Sequence, residues 1–488
     1  MRRSSLKPIF LTIALHYACG PLFAQSEWTR SARPEGIKFP DQEFHPPQPG
    51  RVELGNGMVV YLLPDDSIPQ VRLRGMVRAG SLHETPDESG LAGLTANLLR
   101  LGGTTQVSAT EMNRKLEYAG ASLEAGAARD SAIVSLRVLS KDLEMGVELL
   151  ADMLKNPAFP EDKIEQRRGE LLETLRRQDD DPMEITRREF RKLLYYGDHP
   201  YGRDPLGALD TLPKFSREDL VHWHKTWWGP NRILLAASGD FIKEDLLALL
   251  EEEFEGWTST AAASEYPQVV PPPKMDRIVF IPKELEQSTV RLGHLGITRD
   301  NPDAIPLEVM NFILGGGGFS SRMFSQIRGQ SGYAYMIVSV FDKPLLQGQF
   351  VTIFQTKTDN TLPAIEQTRG LIREYVEQGN MTQEELELAK AAKLNDFVFK
   401  FETPSAVVNR FAELEYYGLP KDYLETYRDR LSAVTLDDLR RVAREYLHPD
   451  SMTLLVLGHP DSREALDSLG EVEEIQLREP IPSEPTKD

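Results

Sequence analysis

Apolar and polar positions change their period repeatedly along this chain, and each change marks an element. From Arg51 the text RVELGNGMVVYLLPDD reads as strand, Asn56-Gly57 turn and strand, and Val71 to Ala79 predicts a further strand. Between Gly90 and Leu101 the period lengthens, with Leu91, Leu94, Leu98 and Leu101 on one helical stripe. A helix over about Thr110–Tyr118 leads to strands near Ser122–Ala128 and Ala132–Leu139. Helices then dominate through Lys141–Leu154, Asp162–Arg177 and Met183–Tyr195. The Gly/Pro loop HPYGRDPLG, His199 to Gly207, precedes a helix from Ser216 to Trp227 and the strand Ile233–Ser238.

The second half repeats this order. Val71, Arg72 and Leu73 recur as Val290, Arg291 and Leu292, 219 residues later, and Asp219, Leu220, Pro230, Leu235 and Gly239 recur as Asp438, Leu439, Pro449, Leu454 and Gly458 at the same offset. One offset at both ends of the unit argues for internal duplication. The pattern therefore predicts two homologous α+β domains, each an antiparallel sheet flanked by helices, over 49–257 and 276–465. Residues 258–275, with Pro267 and Pro271–Pro273, read as a semi-rigid linker. Residues 25–48 read as an extended leader, and 466–488, acidic and Pro-bearing, as a loose tail.

The stretch GGGGFSSRMFSQIRGQSGYAY, Gly315 to Tyr335, concentrates chemistry. Gly315, Gly316, Gly317 and Gly318 permit φ > 0 and close approach of whatever docks there. Ser320 or Ser321 suits a helix cap, Met323 and Ile327 share one helical face, and Phe324 and Arg328 share the next. After a turn at Gly329–Gly332, Tyr333–Phe341 reads as a strand with Tyr333, Tyr335, Ile337 and Phe341 on one side. Arg328 and Tyr335 are thus expected to converge. A guanidinium beside a phenol donates hydrogen bonds to a carbonyl or a developing oxyanion.

At 488 residues the chain exceeds one core. Basic MRRSSLK, the uncharged run Pro8–Ala24 and the small residue ending it predict a signal peptide over residues 1–24, hence an exported, periplasmic protein. The sole cysteine, Cys19, lies inside that signal, so disulfides and thiolate ligands drop out; lipid attachment at Cys19 is the alternative. No stretch is long and apolar enough for a membrane span. The net charge is −19, and losing Arg2, Arg3 and Lys7 with the signal makes it −22. Such a chain repels nucleic acid and suits basic peptides.

The text from Val77 to Thr104, VRAGSLHETPDESGLAGLTANLLRLGGT, together with HPYGRDPLG and the Gly-rich loop followed by Arg328 and Tyr335, resembles the pitrilysin or insulinase family of metallopeptidases over Arg51–His459. The resemblance implies two pitrilysin-type αβ domains. In catalytic members the first-domain helix carries His-x-x-Glu-His, which binds zinc and activates water. Those positions fall here on Gly93, Ala96 and Asn97, and the third ligand, a Glu of a later helix, on about Thr174, with Glu170 and Glu173 nearby. Glycine and alanine supply no ligand atom and no general base remains, so no metal or other cofactor is expected in this chain. His83-Glu84 meets Asp87 where a second His would be needed, His222 and His224 point apart on a helix and read as packing beside Trp223 and Trp227, and His45, His294, His448 and His459 stand alone. By the same resemblance Arg328, Gly332, Tyr333 and Tyr335 match the family's Arg/Tyr pattern, Ser321-Arg322-Met323-Phe324 its Ser-Arg-Leu-Phe, and Gly315–Gly318 the Gly-rich loop of a non-catalytic processing-peptidase subunit. Small members are two-chain clamshells, one subunit holding zinc and the other the Arg/Tyr pair. The chain is therefore expected to be the metal-free, substrate-binding subunit of a heterodimeric peptidase, donating Arg328 and Tyr335 in trans to a zinc-bearing homologue. A purely structural subunit and a peptide-binding module remain as alternatives.

Overall fold

The computed structural model describes residues 46–258, 266–267 and 276–477. The expected signal peptide, nearly all of the leader, most of the linker and residues 478–488 of the tail lie outside them. The first half runs β1 (Gly50–Glu53), β2 (Val59–Pro64), β3 (Gln70–Val77), α1 (Leu91–Leu101), α2 (Ala109–Ala119), β4 (Ser122–Ala127), β5 (Ala132–Leu139), α3 (Leu143–Lys155), α4 (Glu161–Arg177), α5 (Pro182–Leu194), α6 (Arg217–Trp227), β6 (Ile233–Gly239) and α7 (Lys243–Glu253). The second runs β7 (Arg277–Pro282), β8 (Gln287–Leu295), α8 (Ala304–Asn311), β9 (Ala334–Phe341), β10 (Gln349–Lys357), α9 (Thr361–Gln378), α10 (Gln383–Phe399), α11 (Pro404–Tyr416), α12 (Tyr423–Ala433), α13 (Leu436–Tyr446), β11 (Thr453–Gly458) and β12 (Val472–Glu474).

The strands form two six-stranded sheets, ordered β1-β2-β6-β3-β5-β4 and β12-β7-β11-β8-β10-β9. From the second strand onward the orders correspond one to one, as duplication requires. Each sheet is antiparallel except around β2–β6 in the first and around β7, which runs parallel to both β11 and β12, in the second. The outermost strands differ in origin: β1 is the hairpin partner of β2, whereas β12 comes from the segment read as tail and joins by backbone hydrogen bonding. The offset of 219 survives in detail at the caps. Ser216 and Asp219 form a reciprocal capping box on α6, and Thr435 and Asp438 form the same box on α13. Register shifts slightly: Val71 faces Gly239, but Val290 faces Val456 rather than Gly458. A two-residue slip leaves every side chain on its original face, so the strands tolerate it.

Alternation in β3 explains the layering. Val71 and Leu73 are buried under α1 and α3, while Arg72 and Arg74 face the other side. On the α1 stripe Leu91, Leu94 and Leu98 are buried, and Leu101 emerges at the helix end. Each half also lends a helix to the other. Helix α5 lays Ile185, Phe190, Leu193 and Leu194 against Val279, Ile281, Leu455 and Leu457 of the second sheet; α11 lays Val408, Ala412 and Tyr416 against Tyr61, Met76, Leu234 and Ala236 of the first. Burial of apolar surface across this exchange, at roughly 25 cal/mol per Å², holds the two described halves together.

Candidate functional site

Helices α1 and α4 pack side by side, and their contact is where the family resemblance would put a metal. The side chains present do not fit one. Gly93 abuts the loop after α5, and a Cβ there would stand 3.0 Å from the Pro205 carbonyl oxygen. Ala96 is buried. Asn97 Oδ1 accepts a hydrogen bond from Arg167 Nε at 2.9 Å, and Arg167 is ion-paired to Glu170 at 2.8 Å. Thr174 donates its hydroxyl to the Glu170 carbonyl, 2.8 Å away, and offers nothing to α1. Glu170 is thus committed to a guanidinium, which holds its carboxyl below the usual carboxylate range. A fixed cation bridges α1 and α4, and it repels a metal ion at the same place. Arg167, a helical turn before Glu170, is the residue that sequence reading missed; its spacing to Glu170 was the available signal.

Glu84 was also missed as a structural element. It is buried, and Oε1 accepts from the Ala92 backbone N–H at 2.8 Å, so it satisfies the first turn of α1, while Oε2 has no partner. Burial pushes its pKa up to about 8, against the opposing pull of the Ala92 and Gly90 amides and Arg203. Because the folded pKa lies above the unfolded one, the contribution is fully present below about pH 4.5 and is lost as pH rises through 8. Glu84→Gln keeps the acceptor and removes the titration. It is expected to flatten the fall in unfolding free energy between those pH values, by at most about 5 kcal/mol, as read by urea titrations at several pH values.

The Gly-rich stretch behaves differently from its sequence reading. Only Gly318 among the four glycines has a positive φ, +57°. Gly315, Gly316 and Gly317 are required by packing at the end of a wide π-type turn over Phe312–Gly316. A Cβ on Gly315 would meet Ser339 Oγ at 2.4 Å, and one on Gly317 the Phe312 carbonyl oxygen at 2.6 Å. Ser321 caps the next turn by accepting from Phe324 N–H at 3.4 Å. A second π-type helix, Phe324–Gln330, buries Met323 and Ile327 beneath it as expected. Arg322 is taken up structurally: it forms a two-point pair with Glu385 (2.6 and 2.7 Å), pinning this segment to the start of α10.

Arg328 and Tyr335 do converge. The guanidinium carbon of Arg328 lies 4.5 Å from the Phe324 ring centre, 5.2 Å from that of Tyr335 and 5.6 Å from that of Phe319. Tyr335 does not share a face with Ile337. Ala334 pairs with Thr356 and Ile337 with Phe354, so Tyr335 and Met336 together oppose one residue, Gln355. This bulge turns both outward: Tyr335 is 80% and Met336 62% exposed, while Ala334 and Ile337 are buried. Strand β9 is the edge of its sheet, so the pair stands beside an unpaired row of backbone N–H and C=O groups. The corresponding edge strand of the first sheet is β4, and Asn97 stands beside it: a Cβ on Gly126 would lie 3.8 Å from Asn97 Nδ2.

His45 lies outside the described residues, and His83, His224, His294, His448 and His459 are held by structural contacts. His224 is buried against Phe159 and Trp228, not Trp223 and Trp227, and its Nε2 lies 2.9 Å from the Leu154 carbonyl oxygen. His83 stacks on Trp227, 4.2 Å between ring centres, and burial lowers its pKa to about 3. His294 and His448, isolated in sequence, meet at 4.9 Å, and His459 pairs with Glu284 at 2.8 Å. Among the described residues no group of three or more His, Cys, Asp or Glu could hold a metal ion, and no helix is long and apolar enough to cross a membrane.

Comparison with known proteins follows the same outline. Residues 59–206 match the family model described as insulinase (peptidase family M16), and 214–393 the model described as peptidase M16 inactive domain. An uncharacterized zinc protease of Mycobacterium tuberculosis is 27% identical over 82% of this chain and 91% of its own length, and one of Bacillus subtilis is 24% identical over 83% and 97%. The crystal structure of a peptidase M16 inactive domain from Pseudomonas fluorescens superposes with a TM-score of 0.77 at 26% identity, covering 84% of this chain and 98% of that one. A protease from Helicobacter pylori, 23% identical, shares the fold with a TM-score of 0.75 over 84% and 99%.

Proposed function

Since this chain belongs to the insulinase, or M16, peptidase family, yet fills the α1–α4 contact with Arg167 rather than with metal ligands, we propose that it is the metal-free subunit of a heterodimeric peptidase. It binds a peptide substrate and donates Arg328 and Tyr335 in trans, while a zinc-bearing homologue performs hydrolysis. The carrying observation is the Arg328–Tyr335 pair at the free edge of β9. A peptide laid along that edge gains main-chain hydrogen bonds by strand addition, and its carbonyl groups pass the two donors. Arg328 is free to serve: among the described residues it has no carboxylate partner, only aromatic faces. The acidic surface of the chain favours basic peptides, and the charged-then-apolar N-terminus favours export to the periplasm.

The test is co-purification of the mature chain with a zinc-bearing homologue from the same cells. The expected result is a one-to-one complex with one zinc per heterodimer and peptide cleavage that neither subunit shows alone. Stoichiometric zinc bound to the isolated chain, or turnover by it, would refute the reading. Peptide binding without a homologue in the complex would instead favour a peptide-binding module.

A further inference from the structure

On the first sheet the face turned away from α1 and α3 carries a recess of about 410 Å³ between β3, β4, β5, β6 and the start of α11. Its walls hold Arg72, Arg74 and Arg137 and, among the described residues, not one carboxylate or aromatic ring. In a chain with 75 acidic against 56 basic residues, that local excess of positive charge is anomalous. Arg72 and Arg137 are direct cross-strand partners, and Arg74 stands diagonal to Arg137. Directly opposed like charges destabilise a sheet, and here the described residues supply no counter-ion. Arg72 Nε donates to Gln70 at 2.9 Å, Arg137 Nε reaches only Ser122 Oγ at 3.5 Å, and Arg74 Nη1 is buried with no partner. Glu124 lies in the row of Arg74 on the same face, with Ser135 between them, and makes no ion pair with it.

The remaining walls combine hydroxyl donors of the kind an oxyanion takes with Leu73, Leu136, Ala236 and Asn409, whose side-chain oxygen is buried without a partner among the described residues. Ser122 and Ser135 flank the arginines. Across the recess Ser405 opens α11, a helix of 13 residues, and its Oγ lies 2.6 Å from that of Ser238. The positive end of the α11 dipole adds to the field.

We propose that this recess is a binding site for a compact multivalent oxyanion of the phosphate type, separate from the Arg328–Tyr335 pair. Planar guanidinium forks match phosphate geometry at two points each, and serine hydroxyls satisfy the remaining oxygens. With no ring to stack on, the ligand needs no base or aromatic moiety.

The probe is inorganic pyrophosphate, titrated calorimetrically into the full mature chain at low salt. One saturable site is expected, weakening as salt is raised. Arg74→Met and Arg137→Met are each expected to reduce affinity by about tenfold or more. Arg137→Met is also expected to raise the melting temperature of the unliganded protein, because the opposed pair is gone, and to diminish the further rise that pyrophosphate produces at a given concentration. Arg72→Gln, at an exposed position, gives the same affinity readout if a methionine variant does not fold. Absence of a saturable site, affinity indifferent to these substitutions, or saturation by an acidic peptide but not by pyrophosphate would each overturn the assignment.

Discussion

Arg328→Ala is expected to lower peptide cleavage by the proposed heterodimer by about a hundredfold, the usual cost of losing one preorganised oxyanion donor. The aromatic faces of Phe319, Phe324 and Tyr335 hold the guanidinium by cation–π attraction, and among the described residues no carboxylate pairs with it. The donors are therefore positioned before substrate arrives. Tyr335→Phe keeps the ring that steadies Arg328 and removes only the hydroxyl, so its loss should be smaller and fall on kcat more than on KM if the hydroxyl acts mainly in the transition state. Because Tyr335 is largely exposed, that substitution should leave thermal unfolding unchanged. Steady-state kinetics of wild-type and variant subunits mixed with the same partner decide the matter, and equal kcat/KM for all three would remove the pair from the mechanism.

The second large effect is expected at Asp130, in the turn between β4 and β5. Its carboxylate accepts from Tyr201 Oη at 2.5 Å and from the Leu345 N–H at 3.1 Å, and its carbonyl accepts from Tyr416 Oη at 2.7 Å. Tyr201 Oη in turn accepts from the Leu346 N–H at 2.9 Å. One carboxylate thus ties the first sheet to the loop between β9 and β10 of the second. Arg129 lies over the Tyr201 ring at 4.7 Å and pairs with Asp342 at 3.7 Å. Asp130→Ala leaves the fully buried Tyr201 hydroxyl and the Leu345 N–H without their acceptor, a loss of about 3 kcal/mol or more. It should appear as a lower urea midpoint at unchanged slope. Asp130→Asn restores one acceptor but turns an N–H toward a donor, so it should recover only part. A midpoint for Asp130→Ala within error of wild type would show that the two halves do not depend on this joint.

Much of the architecture was legible because its causes are local. Period changes marked the strands and helices, and the recurrence of Asp219, Leu220, Pro230, Leu235 and Gly239 at an offset of 219 made the duplication visible at the residue level. Strand alternation failed at Tyr335 because a bulge inserts a residue, and bulges leave no periodic trace. The glycines at 315–317 were read as freedom for φ, whereas close approach to Ser339, Asn311 and Phe312 is what excludes a side chain there. Neither Arg167 nor Asp130 stood out, since each acts on a residue 70 or 71 positions away, or farther, in the chain.

The sequence alone carried the repeated α+β unit and the resemblance to the family, and it is through that resemblance that Gly93, Ala96 and Asn97 stand where catalytic members carry ligands; residue identity and spacing along the chain suffice for these. The tertiary structure decided what stands there instead, which way Tyr335 points, and that α5 and α11 are exchanged between the halves. Those outcomes depend on which distant surfaces meet, and packing of surfaces far apart in the chain has no local signature.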